Sequence, residues 1–117
     1  MSRVFVIQRP VYYDRQRRGW VNKYDLGPAE IYGELIYLLP QGNIYTGGLK
    51  EALKTLEEKL LDFSTEDCIL AVGDPVAIAC AVMVASANNE GTVRLLKFDR
   101  MENIYNCYTI DVGVLNV

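Results

Sequence analysis

The chain alternates short apolar runs with polar breaks, and the length and spacing of each run sort it into strand or helix. Arg3 to Gln8 is brief, β-branched and aromatic, and Pro10 closes it, which predicts a first strand buried on both faces. Val11 to Tyr13 and Trp20 to Val21 are two further β-forming runs joined by the polar segment Asp14 to Gly19. They predict an irregular hairpin arm over residues 11–24, with Arg15, Arg17 and Arg18 at its tip.

Asp25 to Pro28 reads as the start of a helix, because a proline in the first turn gives up an N–H that has no partner there anyway. Ile31, Leu35, Leu38 and Leu39 then recur near helical spacing until Pro40 and Gly42 stop the run. A second helix is predicted over Leu49 to Leu61, where Leu49, Leu53, Leu56 and Leu60 form one face and Lys50, Lys54, Glu57 and Glu58 the other. Cys68 to Val72 has no polar side chain except a thiol, as in a parallel strand covered on both faces. Asp74 is placed to cap a third helix with Pro75 at its first position. That helix, Val76 to Ala87, carries no charge and is expected to be buried. Thr92 to Phe98 and Asn103 to Val112 read as a closing hairpin. The pattern predicts a single small α/β domain over residues 1–117. It has a mixed, mostly parallel sheet of about four strands, about three helices and a C-terminal β-hairpin.

A chain of 117 residues, half of them hydrophobic, buries a continuous core without disulfides or metal. The three cysteines, Cys68, Cys80 and Cys107, stand far apart in apolar runs and read as small core residues. Histidine is absent, which removes Ser-His and Cys-His nucleophile pairs and the usual histidine zinc sites. No catalytic residue, metal site or cofactor is assigned. Cys68 to Ala87 is long enough to span a bilayer, but Gly73, Asp74 and Pro75 divide it into a strand and a short helix, so no membrane role is expected. Arg3 leads directly into a strand, and no export signal opens the chain, so a cytoplasmic location is expected.

Charge sharpens the picture. Residues 1–24 hold six basic groups against Asp14, a local balance of +5 in a chain whose net charge is −3. Tyr12, Tyr13 and Trp20 interleave with Arg15, Arg17 and Arg18, a composition suited to contact with a protein partner. Cations beside stacking faces also suit single-stranded nucleic acid. A different candidate is the turn at Gly73, Asp74 and Val76. It sits at the carboxyl end of a central strand and the start of a helix, where α/β proteins place small ligands or nucleotides. Only one glycine is present there, and neither the dinucleotide fingerprint nor the P-loop pattern fits. The small side chains of Val76 to Ala87 permit close backbone approach, either to the sheet, as in a simple core helix, or to a second copy in a homodimer.

The segments VFVIQRPVYYDR, GWVNKYDLGPAEIYGELIYLLP and ILAVGDPVAIACAVMVASANNEGTVRLLKFDR resemble a family of short proteins encoded by tailed bacteriophages. The resemblance covers nearly the whole chain and brings no active site. It implies expression inside an infected bacterial cell and action through macromolecular contacts. The leading expectation is a non-enzymatic accessory or regulatory binding protein acting through its basic, aromatic arm. The alternative is a small-ligand or nucleotide-binding domain, with or without enzymatic activity, using the Gly-Asp-Pro turn.

Overall fold

A computed structural model describes residues 2–113. Along the chain run β1 (Arg3–Gln8), β2 (Val11–Asp14), β3 (Gly19–Asn22), a 3-10 segment (Gly27–Tyr32) and β4 (Glu34–Leu39). They are followed by a 3-10 turn (Thr46–Gly48), α1 (Leu49–Lys59), β5 (Cys68–Leu70), α2 (Pro75–Asn88), β6 (Thr92–Asp99) and β7 (Ile104–Asp111). Five strands form the main sheet in the order β4-β1-β5-β6-β7, while β2 and β3 pair only with each other. β1 is parallel to both neighbours, β6 is parallel to β5, and β7 returns antiparallel to β6. The domain is therefore α/β with a mixed, mostly parallel sheet, an antiparallel arm and a C-terminal hairpin.

Two apolar layers hold the sheet. Phe5, Ile7, Ile69 and Val93 face α1 and α2 and meet Leu56, Leu60, Ala77 and Ala81. Val4, Val6, Leu70 and Leu96 face the other way, under Leu26, Ala29 and Tyr105. The fully buried run from Val4 to Ile7 thus has a packing partner for every side chain, as its unbroken apolar character requires.

The helix expected from the spacing of Ile31, Leu35, Leu38 and Leu39 is instead a 3-10 turn followed by a strand, β4. An unbroken apolar run satisfies both periods, and here the alternating faces won. Ile36 and Leu38 join the helix-side layer, and Leu35 and Tyr37 the opposite one. Gly33 makes the change of direction possible. Its φ of +148° belongs to glycine, and its Cα passes so close to β1 that a Cβ would stand 2.6 Å from the backbone oxygen of Ser2. The same oxygen accepts the N–H of Glu34 at 3.2 Å, opening the β1–β4 ladder.

Two more expectations need correction. The charge-free helix α2 is buried on one face only, through Ala77, Ala81 and Ala85, while Val76 is exposed and Met83 is 72% exposed. Absence of charge does not enforce burial when one side of the helix has no further layer above it. Of the three cysteines only Cys68 is a core residue; Cys80 is half-buried, and Cys107 is exposed on the edge strand. Apolar neighbours in sequence do not report what lies across the sheet from a strand residue or above a helix face.

One buried charge ties the start of the sheet to the turn before β5. Asp67 is 1% exposed. It accepts from the Arg3 guanidinium at 2.8 Å and from the backbone N–H groups of Arg3 at 3.1 Å and Ser64 at 2.9 Å. Burial by itself would raise the carboxyl, but the hydrogen bonds and charge of Arg3, with the N–H of Ser64, hold it below the ordinary carboxylate range. A folded-state value below the unfolded one means that the stabilisation is complete above about pH 4 and is lost as the pH falls through the folded value. Denaturant melts between neutral and acidic pH are expected to show wild-type stability falling below about pH 4, and Asp67→Asn starting lower and falling less steeply. Parallel declines in the two proteins would remove Asp67 as the source.

Candidate functional site

The chain leaves the carboxyl ends of β1 and β5 toward opposite faces. After β1 it passes through the arm and the 3-10 segment, which covers the face of Val4 and Val6; after β5 it enters α2 on the face of Phe5 and Ile69. In an open α/β sheet such a divergence opens a crevice at the strand ends. Here the crevice is a cleft of about 310 Å³ whose walls include Gln8, Arg9, Lys23, Tyr24, Gly73 and Asp74. On the other side of Tyr24 and Val72 lies a second, more apolar cleft of about 260 Å³ against Leu70, Phe98 and Tyr105, with Lys97 and Arg100 at its rim.

The floor of the first cleft is closed by the protein itself. Gln8, the one polar residue at the end of an apolar strand, is 4% exposed. Its Nε2 donates to the carbonyls of Gly42 at 2.6 Å and Pro40 at 3.1 Å, and its Oε1 accepts the N–H of Asp74 at 2.6 Å. Asp74 caps α2 as expected, accepting the N–H of Val76 at 2.7 Å through Oδ1, and its Oδ2 accepts the N–H of Ile44 at 3.1 Å. The cap contributes about 1 kcal/mol. Gly73 fits this arrangement because a Cβ there would stand 2.6 Å from the Gln8 Oε1 at a φ of +133°. The N–H groups of Asp74 and Val76, which the alternative reading of the Gly-Asp-Pro turn offered to a ligand, are thus occupied from within. Gln8 was not singled out from the sequence, although a glutamine ending a run of buried apolar residues is a usable sign that polar groups converge there.

The arm is arranged differently. β2 and β3 pair in register from Val11–Asn22 to Asp14–Gly19, and the turn between them holds Arg15, Arg17 and Arg18, all exposed. Asp14 organises that turn by accepting the N–H groups of Gln16 and Arg17. Tyr13 and Trp20 lie directly opposite each other and meet edge to face with ring centroids 5.6 Å apart. They nevertheless remain 53% and 60% exposed, and Tyr12 on the other face of the ribbon is also exposed. All six residues proposed for partner contact are therefore carried on one ribbon outside the main sheet, rooted beside the cleft through Pro10 and Lys23, whose backbones bond at 2.7 Å. Sequence reasoning did not place Lys97 and Arg100 in one cleft with Tyr24, because that proximity depends on the sheet order.

Among the described residues no group of acidic and thiol side chains is placed to hold a metal ion, and no helix is long and apolar enough to cross a membrane. No curated protein and no solved structure matches the chain. The family model of the phage Pam3 gp32-like proteins does match, over residues 2–112, and the chain belongs to that family of small phage proteins.

Proposed function

We propose that this protein is a non-enzymatic accessory binding factor of the infected cell, acting in the cytoplasm, whose arm engages a protein partner with an acidic surface. The observation that carries the reading is the exposure of Tyr12, Tyr13 and Trp20 beside Arg15, Arg17 and Arg18 on a ribbon that adds nothing to the main sheet. Tyrosine, tryptophan and arginine are the residue types that concentrate binding energy at protein interfaces. The three arginines supply attraction and orientation at long range, and the Tyr13–Trp20 pair supplies a rigid apolar anchor at contact. The arm is preferred over the Gly-Asp-Pro turn because the backbone donors of that turn already have partners in Gln8 and Asp74.

The expected result is that Arg15→Ser, Arg17→Ser and Arg18→Ser together change stability by less than about 0.5 kcal/mol per site, since exposed charges away from caps and cores matter little. The same triple variant loses the protein partner retained by immobilised wild type from a nuclease-treated host lysate. Retention of every wild-type partner by the folded triple variant would sink the reading. Capture that disappears on nuclease treatment and falls steeply with salt would move the assignment to nucleic acid.

A further inference from the structure

The two edges of the main sheet are finished in different ways. On β4, the Nζ of Lys59 donates to the carbonyls of Tyr37 at 3.2 Å and Leu38 at 3.0 Å. Successive carbonyls of a strand point to opposite sides, so one of these two is the outward acceptor, and a lysine covers it. A charged side chain laid over an edge is a common guard against pairing with another strand.

β7 has no such guard over most of its length. The bond from the N–H of Val112 to the carbonyl of Gly91 fixes which residues of the hairpin bond inward. By the two-residue alternation of an antiparallel ladder, the backbone groups of Tyr105, Cys107, Thr109 and Asp111 point outward. The hydroxyl of Tyr32 donates to the carbonyl of Tyr105 at 3.0 Å and closes that end. The outward groups of Cys107, Thr109 and Asp111 have no partner among the described residues. This stretch has no proline, lysine or bulge, and its side chains Tyr108 and Ile110 are exposed.

We infer that the occupant of this edge is β7 of a second copy, so that two five-stranded sheets join antiparallel about a two-fold axis normal to the sheet. Such an axis pairs residues whose side chains share a face, and the free groups then select one register, with Thr109 opposite Thr109 of the second copy. Cys107 meets Asp111 of the second copy, which keeps the one charge of the open stretch away from its own image. Tyr108 meets Ile110 of the second copy in a close, non-hydrogen-bonded pair, and the symmetry makes this apolar contact twice. The edge is self-complementary in hydrogen bonds and apolar surface, and the register avoids repulsion between like charges. In this register residues 107–111 of each copy lie opposite one another, about 17 Å of strand, which makes a small interface, below the size of standard stable ones, and weak association in the micromolar range.

The test is sedimentation equilibrium of the full chain between about 1 and 300 µM, the range in which an interface of this size associates. The expected mass rises from the 13.2 kDa of one chain toward twice that value. Thr109→Pro removes an N–H that points away from β6 and spares the internal ladder, as proline on a sheet edge can. Tyr108→Lys brings a charge against the second copy without touching the backbone. Each variant is expected to keep the wild-type circular dichroism and to remain at the mass of one chain throughout. Should one fail to fold, the other decides. Wild-type protein that stays monomeric over the whole range, or a folded variant of either kind that still associates, overturns the inference.

Discussion

Leu70→Ala is expected to cost about 2–5 kcal/mol, several times the effect of any arginine substitution on the arm. Leu70 ends β5 between β1 and β6, paired with Val6 and Leu96, and is 2% exposed. All three side chains belong to the layer completed by Leu26, Ala29 and Tyr105. Truncation removes the transfer energy of the lost methyl groups and leaves a hole that the flanking strands, fixed by their ladders, cannot close. The smaller apolar cleft adjoins Leu70, so water reaches part of the hole and the cost falls in the lower half of that range. Urea melts measure it. A loss below about 1 kcal/mol would show that this layer contributes little beyond the helix-side one.

Much of this architecture was legible because its signals are local. β1, the arm, α1, the Asp74 cap with Pro75, α2 and the closing hairpin each follow from a run of residues whose period, capping or turn chemistry admits one reading. β4 did not follow, because Leu35 to Leu39 is apolar on both faces and its identity as a strand depends on β1 lying alongside it. The edge position of Cys107 and the exposed side of α2 were hidden for a related reason: burial depends on what lies across the sheet or above the helix, and sequence spacing does not report it. At the candidate site, the arm's six residues were proposed from composition, since arginine and aromatic side chains concentrated on a short hairpin are unusual for a fold's own needs. Gln8 and Arg9 were not found, and Lys23, counted with the arm's cations, was not placed beside a cleft, because the cleft they line exists only through the divergence of the chain at β1 and β5.

Gly33→Ala is expected to be as damaging as Leu70→Ala, on the order of 3 kcal/mol, through strain in place of lost burial. Two conditions coincide at this position. The backbone stands at φ +148°, which a residue with a Cβ rarely adopts, and the added Cβ would lie 2.6 Å from the oxygen and 2.7 Å from the carbonyl carbon of Ser2. Neither atom can withdraw without breaking the bond from Glu34 to Ser2 that opens the β1–β4 ladder. Gly73 provides the control, since it too has a positive φ, and a Cβ there would lie 2.6 Å from its nearest neighbour. That neighbour is the far end of the Gln8 side chain, which can turn away at the cost of its hydrogen bond to the N–H of Asp74. Gly73→Ala is therefore expected to be the milder of the two, and to lose less stability when Gln8→Ala is already present than in the wild-type background. No single side-chain truncation relieves Gly33→Ala in the same way, because the obstacle there is main chain. Equal losses for the two glycine variants, with no change at Gly73 when Gln8 is truncated, would show that backbone strain and not the close approach sets the cost at both positions.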